Sequence, residues 1–245
     1  MAAPLLHVTD LSKRFGGFVA LDAINIEIAA QERVGLIGPN GSGKSTFVNC
    51  LCGTLRNESG SVRFDGRVLD GLPSHKRTRL GISRSFQLPR PFGSLTIADN
   101  LRIPLLYTVN ARKGAALTGP ALDARCAELL ALVGLDGKAT HLPRDLTQVE
   151  MRKLELARAM AAEPKLLIAD EAMAGLSHGE IDDILALLVR LNERGITIIL
   201  IEHIMRAIMS FSHRIVVLDA GKKIADGTPD EIVRDPAVER AYLGE

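Results

Sequence analysis

The short strand-like run Arg33-Val34-Gly35-Leu36-Ile37 leads directly into Gly38-Pro39-Asn40-Gly41-Ser42-Gly43-Lys44-Ser45-Thr46. A buried strand that closes on this spacing of glycines, lysine and hydroxyls narrows the fold sharply. The glycines let successive backbone N–H groups turn inward around phosphate oxygens without a clash at Cβ. A helix starting near Lys44 would aim its positive end at the same anion. Lys44 then reaches the β- and γ-phosphates of a nucleotide, and the Ser45 hydroxyl is a ligand for Mg²⁺. That arrangement requires strand, turn and helix in order, so the pattern points to an α/β layer structure with a nucleotide at one sheet edge.

Other segments repeat the strand signal. Lys165-Leu166-Leu167-Ile168-Ala169-Asp170 and Ile196-Thr197-Ile198-Ile199-Leu200-Ile201 read as strands buried on both faces, as in parallel sheets. Between them Ile181, Ile184, Leu185, Leu188 and Leu191 recur at helical spacing, and Gly195 is placed to end that helix. Leu6–Thr9 and Ile24–Ile28 alternate instead, as half-buried antiparallel strands do. From about Pro89 to Arg158 the pattern is helical, with Leu122, Cys126, Leu129, Leu130 and Val133 on one face and a loop expected from Gly114 to Pro120. A turn at Asp226-Gly227-Thr228-Pro229 and short helices are expected at the end.

Asp170 stands at the C-terminal end of a buried strand, the edge where α/β sheets bind ligands. Beside a phosphate loop, an aspartate there suits a metal and the adjacent Glu171 suits activation of water. Composition limits the rest. Thirty Lys+Arg against 29 Asp+Glu leave a net charge of +1, without the basic surface that coating a nucleic acid requires, so no nucleic-acid partner is expected. No apolar run approaches the roughly 20 residues of a membrane span, and Met1–Val8 lack the pattern of a secretory leader. Three cysteines suggest a reducing setting rather than a disulfide framework, and Cys50 and Cys52 read as packing residues.

With these motifs in place the chain resembles an ATP-binding subunit of an ABC transporter, from about Leu6 to Glu245. The resemblance implies a P-loop NTPase (RecA-like) core at 1–88 and 159–225, led by antiparallel β-strands. It also implies an inserted ABC helical subdomain at 89–158 and a helical tail at 226–245. Lys13-Arg14-Phe15-Gly16 resembles the loop whose aromatic stacks on adenine, which makes Phe15 the candidate. Ser85-Phe86-Gln87 resembles the Q-loop, whose glutamine contacts Mg²⁺ and the attacking water. Asp170 and Glu171 match the metal-binding aspartate and catalytic glutamate, and His203 the histidine near the γ-phosphate.

Ser83-Arg84-Ser85-Phe86-Gln87, Leu154-Glu155-Leu156-Ala157-Arg158, Ala174-Gly175-Leu176, Glu202-His203-Ile204-Met205 and the closing Ala241-Tyr242-Leu243-Gly244-Glu245 are similar to ATPases of branched-chain amino-acid importers. Such a subunit works with a second ATPase chain, identical or paralogous, and with transmembrane permease subunits. An external solute-binding protein takes part indirectly, and the ATPase sits peripherally on the cytoplasmic face of the membrane. The basic cluster Lys76, Arg77, Arg79, Arg84 and Arg90 is a candidate for docking the permease.

One stretch departs from the family pattern. Where Leu-Ser-Gly-Gly-Gln is usual, this chain has Leu146-Thr147-Gln148-Val149-Glu150. Thr147, Gln148 and Val149 are the expected contacts to the partner's ATP, yet if the loop keeps the family backbone a β-branched Val149 in place of glycine would crowd the nucleotide or add about 1–3 kcal/mol of strain. Glu150 would repel the nucleotide if it pointed inward, so slowed or regulatory hydrolysis is an alternative reading. Ala172-Met173 and Ser177 also replace the common Pro-Thr and Asp. A soluble non-transport ABC ATPase is a further alternative, although neither a second cassette nor a coiled-coil insertion is visible. A P-loop kinase or GTPase leaves Gln87 and His203 unexplained.

Overall fold

The computed structural model describes residues 3–86, 88–113 and 117–243. Its strands are β1 (Leu6–Phe15), β2 (Phe18–Ile28), β3 (Arg33–Ile37), β4 (Ser59–Phe64), β5 (Arg67–Val68), β6 (Ile82–Ser85), β7 (Leu166–Asp170), β8 (Thr197–Ile201), β9 (Arg214–Asp219) and β10 (Lys222–Gly227). Its helices are α1 (Lys44–Cys52), α2 (Ser74–Leu80), α3 (Ile97–Pro104), α4 (Asn110–Lys113), α5 (Gly119–Val133), α6 (Gln148–Met160), α7 (His178–Glu193), α8 (Met205–Phe211), α9 (Pro229–Val233) and α10 (Pro236–Leu243). A π-helical turn, Leu105–Val109, joins α3 to α4.

The strands form one four-stranded sheet, ordered β2-β1-β4-β5, and one six-stranded sheet, ordered β10-β9-β3-β8-β7-β6. The first is antiparallel, and β1 pairs with β2 through the Gly16-Gly17 turn so that Phe15 faces Phe18. The second is parallel from β9 to β6, with β10 antiparallel at its edge. Parallel strands need helical crossovers that cover both faces, which accounts for the apolar runs Leu166–Ala169 of β7 and Ile198–Ile201 of β8. The side-chain period of two then divides each strand between two cores. Leu167, Ala169, Ile198 and Leu200 face α7, α8 and the helical insertion. Leu166, Ile168, Ile199 and Ile201 face α1 and the antiparallel sheet.

The helical region contains α3 to α6. The α5 face is buried at the five positions expected, Leu122, Cys126, Leu129, Leu130 and Val133. Two expectations shift. Helix α5 begins at Gly119, inside the stretch expected to be a loop, because Pro120 suits the first helical turn; residues 114–116 of that stretch lie outside those described. At the other end Asp226 and Gly227 finish β10 rather than form a turn. Thr228 then caps α9, its hydroxyl accepting the Glu231 N–H.

Polar side chains tie the insertion to the core. The Arg112 guanidinium donates to the carbonyls of Thr78, Arg79, Ala162 and Glu163 at 2.7–3.2 Å. Glu155 of α6 accepts backbone N–H groups of Phe86 and Arg90, and burial holds its pKa above the usual carboxylate value against the pull of Arg158.

The expected basic docking cluster divides. Lys76, Arg79 and Arg90 are exposed. Arg77 is buried, donating to the carbonyls of Cys50, Leu51 and Leu72 at 2.7–3.0 Å, and Arg84 points inward to Asp170. Arg77 thus satisfies carbonyls in the last turn of α1, the helix that begins at Lys44, where a cation also suits the helix dipole. Arg77→Ala leaves these carbonyls without that donor, and at about 1.5–3 kcal/mol for hydrogen bonds to a charged group the variant is expected to unfold at clearly lower urea concentration. Equilibrium urea denaturation followed by circular dichroism checks this.

Candidate active site

Because β3, β6, β7 and β8 run parallel, their C-terminal ends meet one sheet edge. Each end releases the chain there: β3 into the loop 38–43, β6 into Phe86, β7 into Glu171 and β8 into Glu202-His203.

The phosphate loop depends on backbone that only glycine supplies. Gly38 has φ of 148°, and a Cβ there would lie 2.0 Å from the Leu218 carbonyl oxygen. Gly43 has φ of 104°, with the Ala20 carbonyl 2.7 Å from a built Cβ. Pro39, Asn40 and Gly41 form the crest, with Asn40 and Gly41 exposed, and Ser42 is buried. Lys44 is 8% exposed, and its ammonium donates to the carbonyls of Gly38 (2.7 Å) and Pro39 (3.0 Å) and to Ser42 Oγ (3.4 Å). Burial lowers its pKa, while Glu171 and then Asp170 act to raise it. Ser45 is exposed and Thr46 half-buried in the first turn of α1.

Ser45, Arg84, Phe86, Asp170 and Glu171 line one cavity of about 440 Å³. Asp170 Oδ2 accepts from Arg84 Nη2 at 2.5 Å and Nε at 3.1 Å, and Arg84 Nη1 donates to Asn49 Oδ1 at 2.8 Å. Arg84 is therefore the counter-ion of Asp170, not a docking residue. Glu171 Oε1 lies 2.8 Å from His203 Nε2, which brings together two residues 32 positions apart. The Glu171 backbone has φ of 48°, a left-handed conformation that costs a residue with a Cβ about 1–3 kcal/mol, and its N–H donates to Ile201 O at 2.9 Å. Glu202 is 4% exposed, and burial pushes its pKa up to about 7.

The donors present fit a nucleotide-bound Mg²⁺. A hydroxyl and a carboxylate share one cavity, and among the described residues no group of three or more His, Cys, Asp or Glu could hold a metal. One carboxylate completed by phosphate oxygens is how hard, slowly dehydrating Mg²⁺ is usually held. Gln87, the other expected ligand, lies outside the described residues. Phe15 ends β1 with its ring 49% exposed and the Lys13 ammonium 5.4 Å from the ring centre, a surface open to a flat base.

The divergent stretch 146–150 behaves otherwise than expected. Thr147 caps α6, its hydroxyl accepting the Glu150 N–H at 3.4 Å while Glu150 Oε2 accepts the Thr147 N–H at 2.9 Å. Glu150 also pairs with Lys138 at 2.7 Å, a contact that holds its carboxyl below the usual range. Its charge is therefore turned into the cap and not toward a nucleotide. Val149 lies in the first turn of α6, outside the positive-φ residues, and packs against the helical core, so the expected strain is absent. Gln148 is exposed and donates to Ala174 O at 3.4 Å. Ser177 stands at the start of α7, its N–H and hydroxyl both donating to Glu180 Oε2 at 2.8 and 2.7 Å, a hydroxyl donation that an ionised aspartate could not make.

Sequence reasoning missed the roles of Arg84, Arg152 and Glu202. Arg152, 6% exposed, donates to Ala174 O at 3.2 Å. The available signal for Glu202 was a carboxylate placed directly after the all-apolar run 198–201.

The family description "ABC transporter" matches residues 21–174, and "Branched-chain amino acid ATP-binding cassette transporter" matches 222–245. The high-affinity branched-chain amino acid transport ATP-binding protein BraF of Pseudomonas aeruginosa is 39% identical over 254 residues, covering all of both chains. A solved ATP-binding cassette of an ABC transporter in its ADP conformation superposes with a TM-score of 0.88 at 28% identity, covering all of both chains. A dimeric post-hydrolysis cassette bound to ADP and phosphate gives 0.80 at 27% identity, over 91% of this chain and 98% of that one. The chain belongs to the ABC transporter family, as one of its ATP-binding proteins.

Proposed function

We propose that this chain hydrolyses ATP at an interface between two ATPase chains and thereby drives uptake of amino acids, or a related small polar solute, through separate permease subunits. The observation that carries this reading is the meeting at one sheet edge of the Lys44 loop, Asp170 and the Glu171–His203 pair. The relative whose name specifies branched-chain amino acids matches along its whole length, which supports the choice of solute class.

In this reading the Phe15 ring carries the adenine. Backbone N–H groups between Asn40 and Lys44 cradle the phosphates, and the Lys44 ammonium exchanges its carbonyl contacts for phosphate oxygens. Ser45, Asp170 and Gln87 hold Mg²⁺, which neutralises charge across the β- and γ-phosphates when bound. Arg84 holds Asp170 in place. Glu171 takes the proton of the attacking water, and His203 holds Glu171 and faces the γ-phosphate. Thr147, whose hydroxyl also bonds the Glu150 carboxyl, faces the partner's nucleotide from the start of α6, and Gln148 and Val149 border the same contact. Glu150 pairs with Lys138 and Val149 has no left-handed backbone, which supports hydrolysis unhindered by an inward carboxylate or by strain in this stretch.

A second cleft, about 390 Å³, lies between the core and the insertion and is lined by Phe86, Phe92, Pro104, Tyr107 and Arg158 among others. Tyr107 is 70% exposed and Phe86 49%, on the β6 exit toward Gln87. An apolar cleft at that exit suits a cytoplasmic loop of a permease, whose movement is then coupled to the nucleotide through Gln87. In this reading the chain meets the membrane through this contact, peripherally and on its cytoplasmic side; no described helix is long and apolar enough to cross a membrane. An external solute-binding protein would deliver the solute to the permease.

Two measurements test the reading. General-base action is worth about 10²–10⁴-fold, so Glu171→Gln is expected to bind Mg²⁺-ATP as the wild type does and to lose hydrolysis by that factor; wild-type turnover in this variant removes Glu171 from the role. Tyr107→Asp places a charge in the apolar cleft, and permease subunits are expected to fall away on co-purification from detergent-solubilised membranes while ATP affinity stays within about twofold. Undiminished co-purification places the permease contact elsewhere.

A further inference from the structure

Glu202 has no part in the reaction just described, yet it is a buried carboxylate beside it. It follows Ile201 at the end of β8, and its Oε1 accepts the backbone N–H of Met173 at 2.8 Å. The same carboxyl accepts the backbone N–H of His203. Met173 lies two residues beyond Glu171, fully buried in the core that faces α7.

The left-handed backbone at Glu171 explains why such a grip is needed. A residue held in a sparsely populated conformation keeps it only where its surroundings fix the chain on both sides. Before the turn, the Glu171 N–H is bound by the Ile201 carbonyl at 2.9 Å. After the turn, the Met173 N–H is bound by Glu202. Two consecutive residues of one strand end thus hold the chain on either side of the strained position. Ala174 is held in turn from α6, its carbonyl accepting from Arg152 and Gln148.

Chemistry favours a carboxylate for this task. In its ionised form, which the Met173 and His203 N–H groups favour against burial, it offers only acceptors and can bind N–H groups from two segments. The segments are the ones that carry Glu171 and His203, whose side chains meet at 2.8 Å. We propose that Glu202 is a positioning residue: by binding the Met173 and His203 N–H groups it holds the Glu171 turn and the His203 chain in the register that lets their side chains meet. This rests on the reading of Glu171 as the base.

The test compares Glu202→Met, of similar length but without an acceptor, with Glu202→Gln, which keeps one carbonyl oxygen, in the full-length chain with Mg²⁺-ATP. Misplacing a reacting group by about 1 Å costs about 10²-fold, so Glu202→Met is expected to lose kcat by about that factor with KM for ATP within about threefold. Glu202→Gln is expected to recover most of it. Hydrogen exchange at the Met173 amide, followed by mass spectrometry, is expected to accelerate at least about tenfold in Glu202→Met and to stay near wild type in Glu202→Gln. Glu202→Ala serves as a second acceptor-free variant, so the comparison holds even where Glu202→Met does not fold.

Wild-type kcat and exchange in the acceptor-free variants overturn the proposal, as does an equal kcat loss in Glu202→Gln and Glu202→Met. A loss confined to KM also overturns it. Glu171→Gln, assayed alongside, separates the two readings. If it abolishes turnover while Glu202→Met does not, only the positioning role fails. If it keeps wild-type turnover, the base reading fails and the catalytic half of this proposal with it.

Discussion

The rest of the site depends on one buried ammonium facing two carboxylates across a sheet edge. Removing Lys44 from water is costly, and burial alone favours its neutral form. The site recovers that cost through the carbonyls of Gly38 and Pro39 and the field of Glu171 and Asp170. Those carbonyls converge only because Gly38 and Gly43 occupy backbone conformations that side chains rarely adopt. The carboxylates face the ammonium only because β7 is held beside β8, and β8 beside β3, in parallel register. Charge placement is therefore a consequence of strand order, and strand order of apolar runs that can be buried on both faces.

Asp170 shows how the site avoids working against itself. Without a counter-charge this carboxylate, proposed to hold a divalent ion, would repel the neighbouring Glu171. Arg84, from the adjacent β6, supplies that charge through two of its nitrogens and is itself fixed by Asn49 of α1. Both side chains are largely shielded, so their attraction is screened less by water than a surface pair's. Arg84 sits two residues before Phe86 on the strand that exits toward the second cleft, so the group that neutralises Asp170 lies on the segment joining the nucleotide to the insertion.

The part of the site legible in the sequence is the part written in consecutive residues. The loop 38–46 and Asp170-Glu171 are each local, and each sits where its spacing implied. The buried strands and the α5 face were legible for the same reason, since burial imposes a period on neighbouring residues. Contacts between distant segments were not. Arg84 read as one of several surface cations because nothing in its neighbours indicates that it meets a residue 86 positions away. Arg77 was misread in the same way, its partners being the carbonyls at the end of α1.

The divergent stretch 146–150 teaches the complementary lesson. Read against a family pattern, Val149 and Glu150 look like damage, because a pattern records residue types and not the local structure they serve. Read as a helix start, Thr147-Gln148-Val149-Glu150 is a capping box, in which a hydroxyl and a carboxylate three positions apart satisfy each other's N–H groups. Valine in the first turn needs no special backbone once its side chain has a core to pack on. The carboxylate that would have opposed ATP is committed to the cap and to Lys138. A helix N-terminus built this way still has the positive end of its dipole at the first turn of α6, which suits the phosphate contact proposed for this stretch, by a route other than paired glycines.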